Sequence, residues 1–138
     1  MNTTKQDKEA EVRYTRLFEA AQDGILLLDY PSGIVHDANP YICQMLGHSR
    51  EELIGKEMWQ LGFIADKEAA REMHDKLIKE GMVRYDDLSL QTKGGKIFES
   101  EFICNNYDLG EASDTQVIQC NIRDISDRRK AERALLEA

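Results

Sequence analysis

Along this chain the spacing of apolar residues switches between a period near 3.6 and a period of 2, and the switches mark out its elements. From Glu9 to Gln22, the residues Tyr14, Leu17, Phe18 and Ala21 stand at i, i+3, i+4 and i+7, the stripe of a helix that needs a surface to bury it. Asp23-Gly24 ends that helix. ILLLDY (25–30) follows as a strand whose continuous apolar run implies cover on both faces, and the N-terminal helix is a candidate for one of them. Pro31-Ser32-Gly33 is a turn, and IVHDA (34–38) pairs back as a second strand.

A series of short helices comes next, each with a start signal. Asn39 before Pro40 has the N-cap and N1 residue types, because Asn accepts the free N–H groups and proline lacks one. Gly47 stops that helix. Ser49 and Glu52 have capping-box spacing, and Gly55 follows the helix they open. KEMWQLGF (56–63) reads as a further helical turn. Asp66 caps the longest internal helix, Lys67 to Glu80, with Ala70, Met73 and Leu77 on one face and Gly81 at its end.

The last third alternates as antiparallel sheet. Phe98, Ser100, Phe102 and Cys104 share an inward face, and Glu99, Glu101 and Asn105 point outward. Ile118, Cys120 and Ile122 face inward on the final strand, opposite Gln119, Asn121 and Arg123. Leu88 and Leu90 alternate with Ser89 and Gln91 before a two-residue turn at Gly94-Gly95. GEASD (110–114) is a looser loop, and a charged helix begins at Ser126.

Composition narrows the class. With 138 residues, 41% of them hydrophobic and 7% aromatic, the chain suits one globular domain with extensions. A net charge of −8 argues against nucleic acid and anionic membrane as partners, since both are polyanions. No apolar run reaches the roughly 20 residues of a membrane span, and MNTTKQDKEAE is too polar for a signal peptide. Cys43, Cys104 and Cys120 form no CxxC pair, so neither a zinc site nor a disulfide framework is suggested, and a reducing cytoplasm fits. "YDDL" and "REE" read as solvated charge.

The order of helix, two strands, short helices, three strands and helix resembles the PAS domain, a sensory module of bacterial and archaeal signalling proteins. The likeness covers roughly residues 13–130 and rests on LFEAAQDGILLLD, DANPYICQMLGHSREELIGKEMWQLGF, TKGGKIFESEF and CNIRDISDRRKAE in that order. It implies an α+β fold: a five-stranded antiparallel sheet with short helices over one face. A flanking helix (1–22), a PAS core (23–125) and the start of a C-terminal signalling helix (126–138) are the expected parts. It also implies a small pocket on the concave face, whose lining must be read residue by residue because the fold does not choose the ligand.

Candidate lining residues are Leu27, Met45, Met58 and Trp59 from the first half, Met73 and Leu77 on the long helix, and Leu90, Ser100, Phe102, Cys104, Cys120 and Ile122 on the sheet. Flavin-binding relatives of the light-sensing kind carry a reactive cysteine where this chain has GKEMWQLGF, and hold the flavin edge with amides where it has Leu90, Ser100 and Ile122. FMN is therefore disfavoured, since each unsatisfied polar atom costs ~1–3 kcal/mol. Haem-binding relatives ligate iron through a histidine on the long helix, which makes His74 a candidate ligand, although a surface or rim histidine is the simpler reading. His36 and His48 lack partners at metal spacing and read as ordinary polar residues.

Cys104 and Cys120 could face each other across a hairpin within reach of a bond or a shared metal; two buried core thiols are the plainer alternative. A small α+β enzyme would need an inward acid, base or nucleophile, yet Glu99, Glu101 and Arg123 point outward and Ser100 lacks a partner base. A ligand-free dimerisation and relay module is the other reading. For relay, Ser126 is the expected N-cap, Asp124 the expected partner of Arg128 or Arg129, and Asp124-Ile125-Ser126 the hinge. Ala131, Ala134, Leu135 and Ala138 form a narrow seam, read as the first turns of a coiled-coil connector to an output domain, with a homodimer through the terminal helices.

Overall fold

A computed structural model describes residues 5–64, 66–108 and 116–137, without the side chains of Gln6, Trp59 and Tyr107. The elements follow the expected order: α1 (Lys5–Ala20), β1 (Gly24–Asp29), β2 (Val35–Ala38), α2 (Pro40–Leu46), α3 (Arg50–Leu53), a 3-10 turn (Met58–Gln60), α4 (Lys67–Glu80), β3 (Met82–Gln91), β4 (Ile97–Asp108), β5 (Gln116–Asp124) and α5 (Ser126–Glu137). The strands make one antiparallel sheet in the order β2-β1-β5-β4-β3, which brings β5 to the centre between the first and fourth strands. The expected loop at 110–114 and Ala138 of the terminal seam lie outside the described residues.

The caps read for the helices between β2 and β3 are formed. Asn39 accepts the Ile42 amide at 3.0 Å, Ser49 and Glu52 close a capping box, and Asp66 accepts the amides of Glu68 and Ala69. Gly47 and Gly81 end α2 and α4 with φ of 76° and 82°, where a side chain would be strained. The β3–β4 turn differs from expectation. It spans Lys93–Gly95, closed by Gly95 N–H donating to the Thr92 carbonyl and Thr92 N–H to the Lys96 carbonyl, with Gly95 left-handed at φ 92°. Three-residue hairpin loops take this form, and Gly95 alone fills the position that demands glycine.

Helices α2, α3 and α4 and the 3-10 turn close over one face of the sheet. Between them lie Leu26, Leu28, Ile42, Leu46, Leu53, Met58, Phe63, Leu77, Phe102, Ile118 and Ile122, each no more than 1% exposed. Each such side chain contributes roughly 1.5–3 kcal/mol of transfer free energy. Gly24 has a packing reason: a Cβ there would meet Ile42 Cδ1 at 2.5 Å, so α2 sits directly on the start of β1.

Helix α1 corrects the expected stripe. It begins at Lys5 and buries Phe18 at 8% exposure, but Tyr14 and Leu17 are 54% and 69% exposed. The helix touches the core at its C-terminal end, where Tyr14 stacks on Phe18 with ring centroids 6.0 Å apart.

Candidate functional site

The inner face of the sheet is organised in cross-strand rows. Val83, Cys104, Cys120 and Leu26 form one row; Tyr85, Phe102, Ile122 and Gly24 form the next; Leu88, Ser100 and Asp124 form the third. The period of 2 therefore places Leu90, Ser100, Phe102, Cys104, Cys120 and Ile122 on one inner surface, each at most 1% exposed. Met58 at 1% and Met73 and Leu77 at 3% and 0% close over it. Met45 is half-buried at the edge and also lines a small cleft with Tyr41, Gln44 and Asp124.

Leu27 is a correction. In the run Leu26-Leu27-Leu28 the core takes Leu26 and Leu28, and alternation turns Leu27 to the outer face, where it is buried at 8%. The side chain of Trp59 lies outside the described residues. His74 also changes: it is 9% exposed and shares the buried stripe of α4 with Ala70, Met73 and Leu77, instead of sitting at a rim. The i, i+3, i+4, i+7 spacing of 70, 73, 74 and 77 carries that signal.

The site chemistry can be compared with candidate cofactors. Ser100 Oγ donates to the Leu88 carbonyl at 3.0 Å, so its hydroxyl is engaged, and its sheet neighbours at the flavin-holding positions, Leu90 and Ile122, offer no polar atom. These residues do not fit FMN. A porphyrin could lie against His74 by displacing Met58, Phe63, Met73 and Leu77, which fill the space between α4 and the sheet. Among the described residues the buried polar side chains are Asn39, His74 and Ser100, and no group of three or more His, Cys, Asp or Glu is placed to hold a metal.

The two cysteines are brought together. Cys104 and Cys120 are direct partners in the β4–β5 register, with Cα atoms 4.2 Å apart, and their sulfurs are bonded. They are a disulfide here, not two separate core thiols. Cys43 is the free cysteine; it is half-buried on α2, and burial pushes its thiol pKa up. It lines a cleft of about 690 Å³ between α1 and α2, with Tyr14, Phe18, Asp37 and Arg50.

Asn39 does more than cap. Its Oδ1 accepts the Ile25 and Ile42 amides at 2.9 and 3.0 Å, and its Nδ2 donates to the Phe18 and Asp23 carbonyls at 3.1 and 2.9 Å. One fully buried amide thus joins α1, β1 and α2. Arg123, read as outward, spans back to Asp23 in a two-pronged pair at 3.0 and 3.1 Å.

At the exit of the sheet, Asp124 accepts the Ser126 amide at 2.8 Å, and Ser126 is the first residue of α5. The capping role expected of Ser126 thus falls to the aspartate two residues earlier. Arg128 and Arg129 bypass Asp124: Arg128 donates to Glu101 at 2.6 Å, and Arg129 pairs with Asp87 and with Glu99 at 3.2 Å. Arg133 also reaches Glu99, at 3.7 Å. Ile125 is 2% exposed and its amide donates to the Glu99 carbonyl at 3.0 Å, so this residue is fixed while α5 itself buries no side chain.

A five-stranded sheet in this order, with short helices over one face and a helix leaving the central strand, is matched by a family model. The PAS domain model covers residues 22–127. The chain belongs to the PAS domain family. Solved structures agree on the fold of this PAS domain. The PAS domain of an HTR-like protein from Haloarcula marismortui is 23% identical, with a TM-score of 0.70 over 88% of this chain and 96% of that one. A domain of a sensory box sensor histidine kinase/response regulator from Geobacter sulfurreducens is 23% identical, with a TM-score of 0.66 over 86% and 98%. An RNA-binding light-oxygen-voltage receptor reaches a TM-score of 0.77 at 18% identity, over 99% of this chain and 39% of that one. No curated protein matches the chain. The family makes it a sensory signalling domain, a class of module that is generally non-catalytic. No helix among the described residues is long and apolar enough to cross a membrane.

Proposed function

We propose that this PAS domain senses or relays a signal within a larger cytoplasmic signalling protein of the histidine kinase or diguanylate cyclase type, and passes it through α5 to an output domain that follows. The observation that supports this most is the exit geometry. The central strand β5 runs from the inner row at Cys120 and Ile122 straight into a fixed hinge at Ile125, and the helix beyond it is held through its own arginines to Glu99 and Glu101 on the sheet's outer face. A change among the inner residues shifts β5, and β5 moves α5 without an intervening loop.

Two partners complete the reading. A small, mainly apolar molecule on the concave face, against Met58, Met73, Leu77, Leu90 and Phe102, is the input. A second copy is the other, through the terminal helices, where Val12, Leu17, Leu135 and Leu136 are 52%, 69%, 78% and 87% exposed. Its net charge of −8 disfavours contact of this segment with nucleic acid or an anionic membrane.

Native mass spectrometry with an absorption spectrum of the freshly purified chain tests it. A dimer that Leu135→Glu with Leu136→Glu converts to monomer, or a bound molecule of defined mass, supports the reading. A haem absorption band lost in His74→Ala would replace it with a haem sensor. A uniformly empty monomer would overturn both input and dimer relay.

A further inference from the structure

We propose that Cys104 and Cys120 are a peroxide-oxidised pair whose disulfide locks β4 to β5 beneath the relay helix. The chemistry stands on the sheet alone; its consequence for α5 rests on the relay reading above. Nine consecutive residue pairs, from Ser100–Asp124 to Asp108–Gln116, fix the β4–β5 register, so the two cysteines oppose each other without any strand slippage. Their Cα separation of 4.2 Å is that of the closely spaced antiparallel pair, where same-face side chains approach most nearly. Both are fully buried in the row between Val83 and Leu26.

The strands they join are the two on which α5 depends. β5 continues into the helix, and β4 supplies Glu99 and Glu101 to Arg128, Arg129 and Arg133, and the Glu99 carbonyl to the Ile125 amide. A single inner row, Phe102 and Ile122, separates the cysteine pair from Ser100 and Asp124. A covalent tie there fixes the shear of β4 against β5, and that shear sets the distance from the hinge to its anchoring carboxylates.

The oxidant is a small hydroperoxide, and hydrogen peroxide, being compact and uncharged, suits a buried pair. One thiolate attacks a peroxide oxygen, the O–O bond breaks, and a sulfenic acid and hydroxide form, the hydroxide taking a proton to give water. The second sulfur then attacks the sulfenic sulfur, the S–S bond forms, and hydroxide leaves with that thiol's proton as a second water. Two electrons pass from the sulfurs to the peroxide. A dithiol reductant returns them by thiol–disulfide exchange. Cys43, which has no cysteine partner within the fold, is the internal control for disulfide formation.

The test uses the whole chain, reduced and then exposed to hydrogen peroxide, with alkylation in denaturant, peptide mass spectrometry and hydrogen exchange. The expected result is a linked Cys104–Cys120 peptide lighter by two hydrogens, Cys43 still alkylated, and reversal by dithiothreitol. Amides 126–137 should differ by ~3-fold or more in exchange rate between the two states. Cys43→Ser should keep the whole response, and Cys104→Ser with Cys120→Ser should lose it while retaining the exchange pattern of the reduced protein. Free Cys104 and Cys120 after peroxide, or a link to Cys43, would overturn the pair. A linked pair with unchanged exchange in α5 would overturn the coupling, whereas failure of the relay reading shows separately as a monomer with no ligand.

Discussion

Asn39→Ala separates a helix cap from a tertiary joint. As a cap, Asn39 serves the Ile42 amide, and losing that costs about 1 kcal/mol. The same side chain also holds the Ile25 amide and the carbonyls of Phe18 and Asp23, at a site with no solvent exposure. A buried amide left bare costs about 1–3 kcal/mol, and the two carbonyls, which tolerate loss better, about 1 kcal/mol together. The expected destabilisation is therefore about 3–5 kcal/mol. With a urea slope of about 2 kcal/mol per molar, the unfolding midpoint falls by about 1.5–2.5 M. Asn39→Asp is the sharper perturbation. At a simple N-cap the two residues are equivalent, but here a carboxylate would present oxygen to two carbonyls that need a donor, so it should cost about 2 kcal/mol or more. Urea unfolding followed by circular dichroism gives both numbers. A midpoint shift below about 0.5 M for Ala, or wild-type stability for Asp, would refute the joint.

Packing, pH and the attachment of α5 each give a further expectation. Gly24→Ala pushes a Cβ to 2.5 Å from Ile42 Cδ1 and should cost about 1–3 kcal/mol in thermal unfolding, partly recovered by Ile42→Val. Glu52 is held to a pKa of about 2, against an ordinary 4.5, chiefly by hydrogen bonds from Lys93 and His48 and from the Ser49 amide. Its contribution to stability is full above pH 4.5 and lost as pH falls toward 2, so Glu52→Gln should flatten stability across that window in acid titration of the unfolding midpoint. Helix α5 is held by exposed ion pairs, so raising salt from about 0.05 to 0.5 M should speed exchange of amides 126–137 and leave β1 and β5 unchanged. Asp124→Ala removes the acceptor of the Ser126 amide and should loosen the start of α5 by about 1 kcal/mol, seen as faster exchange of the first amides of 126–137 with exchange in β1 and β5 unchanged.

Features that depend on a few neighbouring residues were legible in the sequence. Asn39-Pro40, Ser49 with Glu52, and Asp66 announce helix starts because a cap bonds two or three residues ahead, and Phe98 to Cys104 and Ile118 to Ile122 announce faces because a strand alternates. Legibility fails where distance enters. Leu26-Leu27-Leu28 is apolar at every position, so period cannot say which leucines face the core. The reach of Asn39 to Phe18 and Asp23 crosses 21 and 16 residues and leaves no local trace. The pairing of Asp124 with Arg128 or Arg129 looked natural at close sequence range, yet Glu101 and Asp87, 27 and 42 residues away, take those arginines. Helical phase puts His74 on the buried stripe of α4 with Ala70, Met73 and Leu77, whereas Asp75 and Lys76 beside it in sequence read as a rim.

The way α5 is attached bears on how a relay through it could work. Four ion pairs join it to the sheet, Arg128 to Glu101, Arg129 to Asp87 and Glu99, and Arg133 to Glu99, and none of its side chains is buried. Exposed pairs contribute about 0–1 kcal/mol each, so the helix is held by a few kcal/mol at most. Had Leu135 and Leu136 been buried against the sheet instead, transfer alone would have contributed about 1.5–3 kcal/mol apiece. Moving a two-state equilibrium from 1:99 to 99:1 takes about 5.5 kcal/mol of differential binding, and a tenfold shift takes about 1.4 kcal/mol. Ion-paired attachment keeps repositioning within reach of one small ligand or one cross-strand bond. Buried Ile125 meanwhile keeps the helix tied to β5 in either position, so a relay through α5 would take the form of a change of helix direction, not a release of the chain.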